Sequence, residues 1–186
     1  MNRRRLKLVE SGRTGLSRFG GHISEEWLPE LSGSSGAVVY KRMADGDAII
    51  GGYLYAIKQL AKSVPWFAVP GNSSPESQDA ARFLESCIYD MSFSWPDTLD
   101  EILSMLPFGW SYFEQVFKIR RGPRQAEQKF KSQYNDGRIG WAKWAPRAQE
   151  SLNEWLYDED TDTLLGMSQI PAPDYIERQI PLSKAI

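Results

Sequence analysis

Hydrophobic residues fall into helical spacing from Met43 onward. Ile50, Leu54, Ile57, Ala61 and Val64 recur as one face of an α-helix would require. Asp45 or Asp47 offers a carboxylate to the free N–H groups at the start, and Pro65 ends the run, so a helix is predicted over 43–64. Gly51 and Gly52 inside it each cost about 1 kcal/mol relative to Ala, which implies close backbone packing. "WFAVP" then predicts a short strand over 66–69, closed by the turn "PGNSSPE". Two more helices follow, over 75–92 and 96–107, each with a proline near its first position, where the missing N–H does no harm. Ala80, Leu84, Cys87, Ile88 and Met91 mark the inner face of the first; Leu99, Ile102, Leu103 and Leu106 mark that of the second.

The period changes at "LPFGWSYFEQVFK". Pro107 and Gly109 are helix-stopping residues, and the aromatic and β-branched residues after them suit a pleated, half-buried strand, predicted over 110–121. Alternation places Phe113 and Phe117 on one side and Glu114 on the other. If that side joins Leu103 and Leu106 in one core, Phe117→Ala costs about 3–5 kcal/mol, and Glu114 is left to meet a basic group such as Arg147 of the same or an adjacent subunit. Asp136–Gly137 signals a tight turn into a strand over 138–146, and a hairpin follows with strands over 152–158 and 163–170 and "DEDTD" at its turn. Helices first and antiparallel strands afterwards give an α+β fold, with no βαβ repeat. The Gly- and Ser-rich residues 1–42 lack periodicity and read as an extended arm, ordered mainly by lying on something else; residues 43–186 form the α+β domain.

Composition narrows the function classes. The chain has 186 residues, 41% of them hydrophobic, and a formal charge of −2, so it reads as globular and not as a general polyanion binder. Seven Trp, eight Tyr and eight Phe are rich for this length and favour an interface-bearing protein. Charge alternates in blocks. Six cations mark residues 3–18, Arg82 is the only cation between Glu76 and Glu114, and basic character returns from Lys118 to Arg147. Blocks of this kind fit a subunit that meets copies of itself through complementary patches. Cys87 is the sole cysteine and reads as a small buried hydrophobe, with no disulfide or Cys-based zinc site. No apolar run is long enough to cross a bilayer.

Candidate chemistry fails on detail. "GGH" and "GSSG" lack the setting of a P-loop or a dinucleotide fold. Asp158, Asp160 and Asp162 alternate as in a calcium loop, but Thr163 and Gln169 stand where Gly and a bidentate Glu are needed, so an acidic hairpin turn is the reading. His22 is the only histidine and has no apparent catalytic partner. Glu101 and Glu114 straddle the helix–strand junction as the one paired-carboxylate candidate. The basic loop 118–131 offers a second function class, a small nucleic-acid-binding module, although it interleaves only Phe130 and Tyr134, too few aromatics for a stacking platform. No catalytic, cofactor or metal residues are assigned, and a non-enzymatic assembly subunit is the expectation.

The succession of motifs resembles the start of tailed-phage portal proteins, close to the Mu-like portal family. The Gly-rich arm, Met43 with Asp45 or Asp47, the Trp66 segment, the helix pair, Gly109 and Glu114 in "PFGWSYFEQVF", and Arg147 before the final hairpin carry the resemblance, from about Thr14 to the end. It implies a structural virion component: a dodecameric homo-oligomeric ring at one capsid vertex, assembled in the host cytoplasm. Double-stranded DNA would pass through that ring, and capsid protein, terminase and head–tail adaptor proteins would dock on it. Portals of this family continue with further strands, a stem helix and a clip, so "IPLSKAI" would close the wing region, with "PFGWSYFEQVF" as its rigid corner and the arm wrapped on a neighbour or on the capsid.

Overall fold

The computed structural model describes residues 27–186 except 159, 160 and 162, together with two short strands, β1 (Arg18–Phe19) and β2 (His22–Ile23), which pair antiparallel. The helices are α1 (Gly33–Gly46), α2 (Ala48–Ser63), α3 (Pro75–Tyr89), α4 (Trp95–Ile102) and the single turn α5 (Met105–Phe108). The strands are β3 (Phe113–Ile119), β4 (Ile139–Pro146), β5 (Leu152–Tyr157), β6 (Leu164–Gln169) and β7 (Arg178–Pro181). Every pairing is antiparallel, in separate sheets β3–β4 and β5–β6–β7, so the fold is α+β.

Helix formation begins ten residues earlier than the hydrophobic period indicates. The "GSSG" of the expected arm forms the first turn of α1, which buries Gly36 and Ala37; the rest of the arm, residues 1–26, lies outside the described residues except for β1 and β2. A side chain at Gly36 would run into the Leu31 carbonyl, so this glycine is needed for close approach and not for flexibility. The expected continuous helix over 43–64 is instead two helices. Asp47 leaves helical geometry at φ −100°, ψ 118°, and its carboxylate accepts the N–H groups of Ile49 at 2.8 Å and Ile50 at 3.0 Å. The cap that sequence assigned to one helix start therefore also ends the helix before it. Gly51 sits at that junction, where a Cβ would come 2.8 Å from the Ala44 carbonyl oxygen; beside Gly52 there is open space.

The strand expected over 66–69 is absent. Trp66 to Pro70 has no ladder partner; instead the Trp66 carbonyl accepts the Tyr89 hydroxyl at 3.1 Å and its indole N–H reaches the Ala61 carbonyl at 3.3 Å. The helix expected over 96–107 breaks at Leu103–Ser104, and Pro107 lies inside α5 rather than before its end. Gly109, at φ 79°, makes the stop by donating its N–H to the Met105 carbonyl. Ser74 and Ser94 cap α3 and α4, each accepting the backbone N–H three residues on. On α3 the inner face is turned from the expected one. Cys87 is buried, and so is Met91, which lies past the helix end at Tyr89, whereas Ala80 and Leu84 are exposed.

The apolar core lies under the second sheet. Tyr112, Met167 and Ile180 are buried together, with Trp110, Leu152, Trp155 and Ala185 packed against them. β7, which sequence did not reveal, closes this sheet through Met167↔Ile180 pairing. The Tyr112 hydroxyl donates to the Ile180 carbonyl at 3.1 Å, and burial raises its ionisation above the ordinary 10.0. The chain end also returns to the first sheet, because Ile186 exchanges backbone hydrogen bonds with Phe113 at 3.1 Å each way.

Candidate functional site

Strand β3 decides what the molecule shows to its surroundings. Phe113 is buried at its start, but Phe117, on the same side by alternation, is 49% exposed, so the expected burial of Phe117 does not occur. An extra residue in β4, Ala142, interrupts the register between the pairs Val116↔Lys143 and Phe117↔Trp141. Beyond this bulge the Phe117 side is left exposed by the described residues. Cross-strand partners share a face, so Phe117, Ile119, Ile139 and Trp141 form one apolar surface, with Ile119 and Ile139 also exposed.

The alternate positions, Lys118 and Arg120, point under α3. The Lys118 ammonium is 3.0 Å from the Asp90 carboxylate, both side chains being nearly sealed from solvent, and it donates to the Asp90 and Lys131 carbonyls. Asp90 also accepts from the Ser132 hydroxyl at 2.6 Å and the Gln133 N–H at 2.8 Å. Arg120 pairs with Asp136 at 2.9 Å, donates to Ser86 at 2.8 Å and lies 3.9 Å from the centre of the Tyr134 ring. A buried ion pair of this kind must be fully hydrogen-bonded to offset desolvation, and most of its groups are. The basic loop therefore presents fewer cations than its sequence suggests: Lys118 and Arg120 are buried and paired and Lys129 pairs with Glu127 at 3.0 Å, while Arg121, Arg124 and Lys131 are exposed.

Glu114 pairs with Arg147 of its own chain. Burial, and secondarily the charge of Arg178, lower the Arg147 ionisation. Glu101 lines two cavities of about 290 and 300 Å³, neither of which is lined by Glu114. Asp158 accepts the N–H and hydroxyl of Thr161 at 2.7 Å, as a hairpin turn requires; Asp160 and Asp162 lie outside the described residues. The side chain of His22 likewise lies outside them. Among the described residues no group of acidic, Cys or His side chains is arranged to hold a metal, and no helix is long and apolar enough to cross a membrane.

The second apolar surface is on α2. This 16-residue helix has no buried residue. Ile50, Leu54 and Ala61 are half-buried as the spacing indicates, but Ile57 and Val64 are exposed and continue a stripe through Ile49 and Tyr53, each 70% exposed, and Leu60, 69% exposed. Sequence reasoning assigned the helix one inner face and missed this one. The signal was present in the absence of any charged residue from Ala48 to Ile57. Four tryptophans form a ladder. Trp66, Trp95, Trp144 and Trp141 meet edge to face at centroid distances of 6.0, 5.9 and 5.0 Å, fastening the α2–α3 connection and α4 to β4.

The described residues thus leave two apolar faces exposed, one on α2 and one on β3–β4. Residues 37–183 match the family described as the portal protein of Mu bacteriophage. Comparison with curated proteins returns no match.

Proposed function

From the premise that the chain belongs to the family of the portal protein of Mu bacteriophage, we propose that it is a structural subunit of a homo-oligomeric portal ring, without catalytic activity of its own. The ring is dodecameric and sits at one vertex of the virion. It gives double-stranded DNA its passage, and capsid protein, terminase and head–tail adaptor proteins dock on it. The observation that supports assembly is α2, a helix exposing Ile49, Tyr53 and Leu60 along one stripe that the capping residue Val64 extends. Full burial of each large apolar side chain is worth about 1.5–3 kcal/mol, so covering this stripe offsets a substantial part of the cost of association.

The test is the particle mass of the chain across a concentration series, beside that of Leu60→Glu. The native chain forms a ring, and Leu60→Glu remains a folded monomer. A native chain that stays monomeric at every concentration contradicts the proposal.

A further inference from the structure

A closed ring of more than two copies needs a head-to-tail contact, in which each copy presents two unlike patches, one for each neighbour. Resting on the ring reading above, we infer that these patches are the α2 stripe of one copy and the β3–β4 outer face of the next. The stripe is Ile49, Tyr53, Leu60 and Val64; the face is Phe117, Ile119 and Ile139, beside Trp141. The stripe is a convex row and the face a flat two-stranded surface, and a helix laid on a sheet is an ordinary way to bury both. Each is apolar. No charge falls between Ala48 and Ile57, and Lys118 of β3 and Arg120 just beyond its end are turned inward to Asp90 and Asp136.

The second copy is the occupant that the arithmetic of contacts favours. If α2 packed on α2 of a partner, both stripes would be covered, but two sheet faces would remain in water and growth would stop at two. With stripe on face, every added copy covers one of each and leaves one of each, until the ring closes and none remains. The inward turn of two cations then has a consequence for assembly, because it leaves the opposite side of the strand free of charge for a neighbour.

The test uses the full chain carrying Tyr53→Cys, Ile119→Cys, or both, treated with a short bis-maleimide. The native chain, whose Cys87 is buried, is the blank. Both substituted positions are exposed, so the fold is retained; Leu60→Cys with Ile139→Cys repeats the test if either first variant fails to fold. The expected result is no covalent product from either single variant, a covalent dimer from the two mixed, and a ladder of dimers, trimers and higher species from the double variant. Dimers from Tyr53→Cys alone, showing α2 packed on α2, overturn the inference. So does a link closed within one chain, showing the face to be covered from the same copy. A native ring without a ladder overturns the assigned contact and leaves the ring reading standing, whereas a monomeric native chain overturns both.

Discussion

The two larger sheets distribute polar and apolar residues in opposite ways. In β5–β6–β7 the inward position Met167 has no exposed surface and packs with Tyr112 and Ile180. In β3–β4, beyond the bulge, the inward positions are Lys118 and Arg120, while Phe117, Ile119 and Ile139 face out. The sheet β5–β6–β7 is completed by its own chain. The sheet β3–β4 gains little net stability from its buried ions, since desolvation cancels much of the attraction. Its ion pairs instead fix where the loop 120–138 lies on α3 and which side of the strand is left open. A sheet so arranged is complete only when something apolar covers it.

Substitutions that exchange these characters sharpen the contrast. The largest effect is expected for Asp90→Ala, which leaves the Lys118 ammonium buried without its carboxylate and costs about 3–5 kcal/mol in urea unfolding. Replacing both partners, as Asp90→Leu with Lys118→Met, recovers most of that loss, which separates the cost of an orphaned charge from the worth of the pair. Met167→Ala empties a sealed site in the other sheet and costs about 2–5 kcal/mol.

Tyr112→Phe removes one buried hydrogen bond, to the Ile180 carbonyl, for about 0.5–1.5 kcal/mol at neutral pH. It also carries a pH signature. Burial raises the Tyr112 ionisation, so the unfolded chain loses this proton first; the stabilisation is full below 10.0 and declines as pH rises from there through the folded value. Unfolding profiles of native chain and Tyr112→Phe therefore differ in slope above 10.0, with the variant the flatter. The smallest effect on the isolated subunit is expected for Phe117→Ala, within about 0.5 kcal/mol, because its ring is already half in water. Its effect appears in assembly, as a higher concentration needed to form the ring.

Much of this was legible in the chain. Local chemistry marked the prolines that open α3 and α4, the Gly109 stop and the Asp136–Gly137 turn, each determined within a few residues. Alternation placed Glu114 away from Phe113, with Arg147 of the same or an adjacent subunit as one candidate partner, and the pair forms within the chain. What sequence could not show depends on contacts made from far away. "GSSG" reads as loop until Gly36 is seen against Leu31, and "WFAVP" reads as strand until no neighbour is found for it. Phe117 reads as core because periodicity tells which residues share a side but not how far a helix covers it. Lys118 and Arg120 read as solvated until Asp90 and Asp136, distant in sequence or across a loop, are placed over them. The α2 stripe was hidden for a related reason, since an apolar residue announces that it will be covered and not by which molecule.

Hydroxyl-radical footprinting of the assembled particle against the diluted monomer tests the central claim most directly. Tyr53 and Leu60 on α2, and Phe117, Ile119 and Ile139 on the sheet, should be strongly labelled in the monomer and protected together in the ring. Buried Met167 should be protected in both. Equal labelling of Phe117 and Tyr53 in monomer and ring would show that neither face is covered by a neighbour, and would contradict the account.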